Sequence, residues 1–149
     1  MQPEFWHDRW ASNRIGFHTP DVNENLKECW SELNAGPLQQ VFVPLCGKSL
    51  DIHWLRKQGH RVIGVELSEI AVQALFTEHQ IDVSSTANVS RSNEPDGSHG
   101  SQPASLVRYQ APHMEVYCGD FFDMTADLLN ETAFVYDRGS LVALPEKTR

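Results

Sequence analysis

The sequence lacks an apolar run long enough to span a bilayer, and its first ten residues, MQPEFWHDRW, contain neither the basic nor the apolar region of a secretory signal. Its three cysteines, Cys29, Cys46 and Cys118, are odd in number and widely spaced, which is poor material for a disulfide framework and suits a reducing cytoplasm. An excess of positive charge is also missing, since the formal net charge is −8. We therefore expect a cytoplasmic protein that acts on a small molecule, with no nucleic-acid or membrane partner.

Two further kinds of site have little support. The seven histidines are scattered without the spacing of metal ligands, so we expect no zinc site. Cys46 has no histidine at a spacing that would mark a general base, and we interpret it as a small buried residue.

The length of 149 residues suits one domain, with a helical N-terminal segment over 1–35 and a core over 38–149. Pro3 and Glu4 predict the start of a short helix that carries its tryptophans on one face. The stretch NENLKECWSEL predicts a second helix with a helical stripe of apolar residues. The members of that stripe are Leu26, Cys29, Trp30 and Leu33.

Two strand–helix units follow. QQVFVPLCG and HRVIGVEL are continuous apolar runs, as expected for buried parallel strands, and Ser49 and Ser68 can cap the helices after them. We expect the second of these helices to turn an apolar set inward, namely Ile70, Ala71, Ala74 and Leu75. The stretch Ser84–Ser105 is rich in Ser, Pro, Gly and Asn, and it predicts a flexible surface insertion.

Further strands are predicted in LVRYQ, MEVYCGDFF and TAFVYDRGSLVAL, with a short helix capped by Thr125 between the last two. A helical N-terminus followed by alternating strands and helices indicates an α/β protein with a doubly wound, Rossmann-like sheet. Ligands of such folds bind where the carboxyl ends of the strands meet.

The turn after the first strand contains Gly47-Lys48-Ser49, but it does not match a phosphate-binding loop. Phe42 stands where that motif needs its first glycine. A dinucleotide fingerprint needs three glycines, whereas PLCGKS contains one, and this also disfavours a nicotinamide-dependent oxidoreductase.

Glu66 ends the second strand, 19 residues after Gly47, which is close to where nucleotide folds place the acid that binds ribose hydroxyls. One glycine with a ribose-binding acid suggests a nucleoside without phosphate, of which S-adenosylmethionine is the common case. The alternative is an exposed glutamate or one that caps the next helix.

Two later strand ends carry candidate contacts. Asp120 can accept a hydrogen bond from the amine of adenine, and Phe121 and Phe122 can pack on the ring. The alternatives are that Asp120 is a turn residue and that both phenylalanines are core residues. Arg138 lies at the end of the last strand, where a surface salt bridge with Asp137 is the alternative. The Leu45–Gly47 turn, Glu66, Asp120 and Arg138 lie at the carboxyl ends of four successive strands. We therefore expect them to face one crevice.

The blocks EFWHDRW, IGFH, VPLCGKSLDIHWL, GHRVIGVELSE, CGDFF and YDRGSLVAL together resemble the thiopurine S-methyltransferases in their bacterial form. The resemblance implies an S-adenosylmethionine-dependent methyltransferase fold and methyl transfer to the sulfur of aromatic and heterocyclic thiols, with S-adenosylhomocysteine as product. Bacterial members are also associated with the methylation of selenium and tellurium compounds and with tellurite resistance.

The resemblance also implies residue roles. Contacts to the methyl donor fall on Trp10, Leu45, Glu66, Asp120, Phe121 and Arg138. Arg138 would also be the catalytic residue, Phe17 would contact the thiol substrate, and the segment 1–35 would act as a lid. We expect a monomer with no metal.

Members of that family continue for several helices and strands beyond the point that matches LPEKTR. We therefore expect a fold that is incomplete at its C-terminus. The alternative function is a truncated, non-catalytic fragment that binds the donor weakly or not at all.

Overall fold

The computed structural model describes residues 2–89 and 106–148, and no side chain within 86–89. The helices are α1 (Pro3–Ala11), α2 (Glu24–Glu32), α3 (Leu50–Lys57), α4 (Glu69–Thr77) and α5 (Ser140–Ala143). The strands are β1 (Gln40–Val43), β2 (Arg61–Glu66), β3 (Ser84–Val89), β4 (Leu106–Ala111), β5 (Met114–Cys118) and β6 (Thr132–Val135). Two short 3-10 turns cover Phe121–Asp123 and Ala126–Leu129.

The strands form one sheet in the order β3-β4-β5-β2-β1-β6. The four strands β5, β2, β1 and β6 are parallel, whereas β4 pairs antiparallel with both β5 and β3. The α/β sheet that the sequence predicts is therefore confirmed, with an antiparallel addition on one flank. Because the parallel strands are neighbours, their carboxyl ends meet at one edge.

Part of the stretch that the sequence predicts as an insertion is a strand. Residues 84–89 pair with β4, from Ser84 opposite Gln110 to Val89 opposite Leu106. Backbone hydrogen bonding along β4 explains the difference, because a polar sequence can add an edge strand to an existing ladder. The rest of that stretch, residues 90–105, lies outside the described residues.

The first strand–helix unit follows its sequence signals closely. The side chain of Ser49 accepts a hydrogen bond from the backbone N–H of Asp51, which caps α3. Gly59 has a positive φ of 90° just after this helix, a conformation that glycine adopts more readily than any other residue. On α3, Ile52 and Leu55 are fully buried and anchor the helix to the sheet.

The second helix of the core lacks the predicted cap, because the Ser68 side chain makes no capping hydrogen bond. The residues of α4 that face the core also differ in part from those predicted. Ala71 and Leu75 are buried as expected, but Ile70 is 51% exposed. Val72 and Phe76 are buried instead, because they lie beside Ala71 and Leu75 on the helix face that packs against the sheet.

Helix α2 contacts the core along a narrower stripe than its sequence predicts. Leu26 and Trp30, one turn apart, are buried, whereas Cys29 is exposed and Leu33 is 49% exposed. The helix ends at Glu32, so Leu33 lies past its last turn. The indole N–H of Trp30 donates to Nε2 of His60 at 3.2 Å, which fixes α2 against the residue before β2.

Apolar residues cover both faces of the sheet, which is what a doubly wound arrangement requires. None of the helices in residues 2–89 and 106–148 has the length and apolarity needed to cross a bilayer.

Candidate functional site

A cleft of about 590 Å³ opens at the carboxyl ends of the four parallel strands. All seven site residues that the sequence and the resemblance indicate line it. They are Trp10, Phe17, Leu45, Glu66, Asp120, Phe121 and Arg138. Residues up to 128 positions apart in the chain thus share one wall, from Trp10 to Arg138.

The turn between β1 and α3 forms the floor of this cleft. Leu45 and Gly47 both have positive φ, 46° and 53°, and the backbone N–H of Cys46 donates to the carbonyl of Val65 at 3.0 Å. A Cβ atom added to Gly47 would lie 3.1 Å from Cζ2 of Trp10. Glycine is therefore needed here for its conformation and for the close approach of the indole ring.

Lys48, the lysine of the Gly-Lys-Ser triplet, is engaged elsewhere. Its Nζ pairs with Oε1 of Glu78 at 2.6 Å. Together with the missing first glycine, this contact argues against a phosphate in the turn.

Glu66 is 6% exposed and its two carboxylate oxygens face different parts of the backbone. Oε2 accepts from the N–H of Gly47 at 2.9 Å, and Oε1 accepts from the N–H of Ser68 at 2.8 Å. Burial raises the pKa of Glu66, and the backbone N–H groups of Ser68, Gly47 and Leu67 oppose that rise. Each oxygen keeps lone-pair capacity for a further donor, such as a hydroxyl group of a ligand.

Asp120 and Phe121 have clear structural contacts as well as positions in the cleft. Oδ1 of Asp120 accepts from the N–H of Phe122 at 2.9 Å, which caps the short 3-10 turn. The ring of Phe121 stacks on Phe42 with centroids 6.3 Å apart, and the edge of Phe122 meets it at 5.2 Å. Asp120 is thus a turn residue, and Phe121 is partly buried against the core, but the core interpretation is wrong for Phe122, which is 46% exposed.

Aromatic residues of the N-terminal segment cover the open side. Trp10 is 7% exposed and meets Phe17 edge-on at 5.6 Å, and Trp6 meets the same Phe17 ring at 5.4 Å. Phe17 itself is 49% exposed, so this ring presents apolar surface to whatever enters the cleft.

Arg138 does not pair with Asp137, so the surface salt bridge considered from the sequence is wrong. Oδ1 of Asp137 instead accepts from the N–H of Ser140 at the start of α5. Nη1 of Arg138 donates to Oδ2 of Asp51 at 2.9 Å, and Nη2 donates to Oγ1 of Thr19 at 3.0 Å.

Asp51 is a residue that the sequence reasoning missed. Its side chain is fully buried, and it accepts from the N–H of Asn23 and from the hydroxyl of Tyr136, both at 2.8 Å, besides Arg138. We call Thr19, Asn23, Asp51, Tyr136 and Arg138 the Asp51 cluster. An acidic residue in the first turn of a helix is explained by the helix dipole alone, so its sequence position gave no signal of this network.

Cys46 is buried, as its sequence environment predicts. Burial, and next the charge of Glu66, raise the pKa of its thiol well above the usual range. A thiol held in its protonated form is a poor nucleophile. Among residues 2–89 and 106–148, no group of three or more His, Cys, Asp or Glu side chains is arranged to hold a metal ion.

Comparison with known proteins places these features in a family. The model of the family described as thiopurine S-methyltransferase matches residues 1–149. The chain is 45% identical over 149 residues to a thiopurine S-methyltransferase of Pseudomonas entomophila (strain L48) and 44% identical over 149 residues to one of Pseudomonas fluorescens (strain SBW25). A thiopurine S-methyltransferase of Marinobacter nauticus is 41% identical over 149 residues.

These matches cover 100% of the chain but only 61–62% of the length of the three relatives. The six-stranded sheet agrees with the Rossmann-like S-adenosylmethionine-dependent methyltransferase fold of the matched family. Since the family model matches every residue from 1 to 149, the chain belongs to the thiopurine S-methyltransferase family.

Proposed function

We propose that the chain binds S-adenosylmethionine in the cleft and takes part in methyl transfer to the sulfur of aromatic and heterocyclic thiols such as thiopurines. The observation that carries the proposal is the Glu66 carboxylate, which is buried at the end of β2 and accepts hydrogen bonds from the neutral backbone N–H groups of Gly47 and Ser68. A carboxylate in this position favours hydroxyl donors and disfavours a phosphate.

The residues present fit such a donor. A ribose diol can donate to the remaining lone pairs of Glu66, and the aromatic surfaces of Phe121 and Trp10 suit an adenine ring and a cationic sulfur. At Gly47, which has a left-handed backbone, the absence of a side chain lets Trp10 approach the turn closely. No feature of the turn supplies the row of N–H donors that a pyrophosphate needs.

When bound, S-adenosylmethionine supplies a methyl group on a positively charged sulfur that a thiolate can displace in line. The chain contributes placement, which can lower the barrier by several kcal/mol in favourable cases. Arg138 would stabilise or orient the thiolate through charge-assisted hydrogen bonds, while Trp10 and Phe17 exclude water from above. Phe17 would also contact the ring of the acceptor.

Segment 1–35 would act as the lid in this proposal, with residues 38–149 as the core. Selenium and tellurium compounds are further candidate acceptors, because they share the soft nucleophilic character of sulfur. We also propose that the protein is cytoplasmic and monomeric, with the thiol as its only partner besides the donor.

Isothermal titration calorimetry with S-adenosylhomocysteine tests the donor site. We expect Glu66→Gln to weaken binding about 10- to 100-fold, because a hydrogen bond to a charged acceptor contributes about 1.5–3 kcal/mol. Glu115→Gln is the matched control, since Glu115 is a partly buried strand glutamate that pairs with Arg108 and is not part of the cleft wall.

A folded chain that does not bind S-adenosylhomocysteine would contradict the donor site and support the non-catalytic alternative. Binding of NADH in its place would support an oxidoreductase. A methyl-transfer assay with a thiopurine, repeated with Arg138→Gln, then tests the catalytic part of the proposal.

A further inference from the structure

We propose that Asp51 is a positioning residue, which holds Arg138 and the loop over residues 19–23 in place at the rim of the cleft. This inference rests on the proposed function for its consequence in ligand binding, but its structural part stands on contacts of the chain alone. Asp51 does not line the cleft itself, so it would act only through the residues it contacts.

The first step is the burial of the Asp51 charge. The Asp51 side chain has 0% exposure, although it lies in the first turn of α3, where acidic residues are usually exposed. A carboxylate removed from water must be matched by donors and by an opposite charge. The only cation in contact with it among the described residues is Arg138, at 2.9 Å.

The second step is the geometry of the loop. Oδ1 of Asp51 accepts from the N–H of Asn23, and the Arg138 side chain that Oδ2 binds donates to Oγ1 of Thr19. One carboxylate therefore fixes both ends of residues 19–23, one directly and the other through Arg138. The Thr19 hydroxyl in turn donates to the carbonyl of Asp21, which closes the loop on itself.

The third step connects this network to the cleft. Thr19, Tyr136 and Arg138 line the cleft, as does Phe17 two residues before the loop. The Tyr136 hydroxyl donates to Oδ2 of Asp51, the same atom that binds Arg138. This second bond holds the carboxylate in place, and the carboxylate in turn orients the guanidinium. Losing the Asp51 charge would free the guanidinium and weaken the attachment of the loop to α3 at the same time.

A double-mutant cycle on amide hydrogen exchange tests the proposal without any ligand. We expect Asp51→Asn to raise exchange of the Asn23 amide, whose N–H the carboxylate binds, about tenfold relative to the β1 amides. The increase should be much smaller in an Arg138→Gln background, where the network that holds the carboxylate is already broken. Normalising to β1 removes the effect of global destabilisation. Glu115→Gln, which removes the same charge from a salt-bridged glutamate away from the cleft, should leave the loop unchanged.

Equal factors for Asp51→Asn in both backgrounds would overturn the proposal, because a purely structural aspartate does not act through Arg138. If Asp51→Asn does not fold, Thr19→Val removes the contact of Arg138 with the loop, together with the bond from the Thr19 hydroxyl to the carbonyl of Asp21. It should raise exchange of the Asn23 amide while sparing β1. No local change in that variant would equally overturn it.

The same cycle measured on S-adenosylhomocysteine affinity separates the two proposals. Failure of the unsubstituted chain to bind would count against the donor site, while the exchange result alone would decide the role of Asp51.

Discussion

Glu66 and Asp51 are both buried carboxylates beside the cleft, but the groups that surround them differ. Glu66 accepts from two backbone N–H groups and, within the part of the chain that the structure describes, from no cation. Asp51 receives one backbone N–H, a tyrosine hydroxyl and the Arg138 guanidinium. Burial therefore dominates at Glu66 and raises the pKa of its carboxyl.

This difference separates the carboxylate that we propose to bind a ligand from the one that we propose to position Arg138. A buried charge that has only neutral partners is poorly compensated until a ligand adds donors, which is why perturbed carboxyls concentrate at functional sites. A charge matched by an arginine is compensated by the protein itself. We therefore expect removal of Asp51 to cost mainly stability and local order, and removal of Glu66 to cost mainly ligand affinity.

The largest expected effect is on folding stability at Asp51. Asp51→Asn should lower the free energy of unfolding by about 3 kcal/mol, because it leaves Arg138 without its counter-charge. The estimate is at the low end for buried pairs, since the Arg138 side chain is 35% exposed and can regain water. Urea denaturation measures the change, and Glu66→Gln should cost about 1 kcal/mol in the same assay. Equal losses for the two variants would remove the distinction drawn above.

The sequence predicted the Glu66 side of the site better than the Asp51 cluster, for physical reasons. Glu66 follows an apolar strand, and the carboxyl ends of parallel strands meet by topology alone, so chain position determines where it lies. The partners of Asp51 come from two loops, and no periodicity places Thr19 beside Arg138.

Other misses have the same origin. Ser84 begins a strand because the backbone of β4 can pair with it. Ile70 is exposed because α4 turns Phe76, and not Ile70, toward the core. The sequence gives the segments and their strand-end residues, but it does not give side-chain contacts that depend on tertiary packing.

The next expected effect concerns acid and involves His53, two residues after Asp51. His53 is 6% exposed, and burial, followed by the nearby His79, lowers its pKa from 6.5 to about 4. The unfolded chain therefore binds a proton more readily than the folded one, so the stability due to neutral His53 is lost as the pH falls from about 6.5 toward 4. Between pH 7 and pH 5 the loss should be about 2 kcal/mol.

Glu66 should respond to acid with the opposite sign. Its pKa is raised in the folded state, so the folded chain binds the proton more readily and gains stability from this group as the pH falls. Denaturation curves of His53→Asn and Glu66→Gln across pH 5–7 compare the two sites. If stability depends on pH in His53→Asn as it does in the unsubstituted chain, the loss of stability in acid is not due to His53.

A smaller effect is expected at Gly47, which donates to Glu66. Gly47→Ala places a side chain at a φ of 53° and 3.1 Å from Trp10, so we expect a loss of about 1–2 kcal/mol together with weaker binding of S-adenosylhomocysteine. Gly59→Ala is the matched control, because Gly59 has a φ of 90° but nothing within 4 Å of the added Cβ. Gly59→Ala should lose stability through backbone strain but should bind S-adenosylhomocysteine with normal affinity. Equal affinities in the two variants would show that the approach of Trp10 to the turn does not matter for binding.

The smallest effect is expected at Thr19, the outer member of the Asp51 cluster. Thr19→Val removes one acceptor from a partly exposed guanidinium, which should cost about 0.5 kcal/mol of stability because water can replace the lost partner. Thr77→Val is the control, since the Thr77 hydroxyl donates to the carbonyl of Gln73 as the Thr19 hydroxyl donates to that of Asp21, but it has no contact with Arg138. The two variants should have similar urea midpoints, yet only Thr19→Val should loosen residues 19–23 in hydrogen exchange. A stability loss at Thr19 as large as that of Asp51→Asn would mean that the loop, and not the buried charge, holds the cluster together.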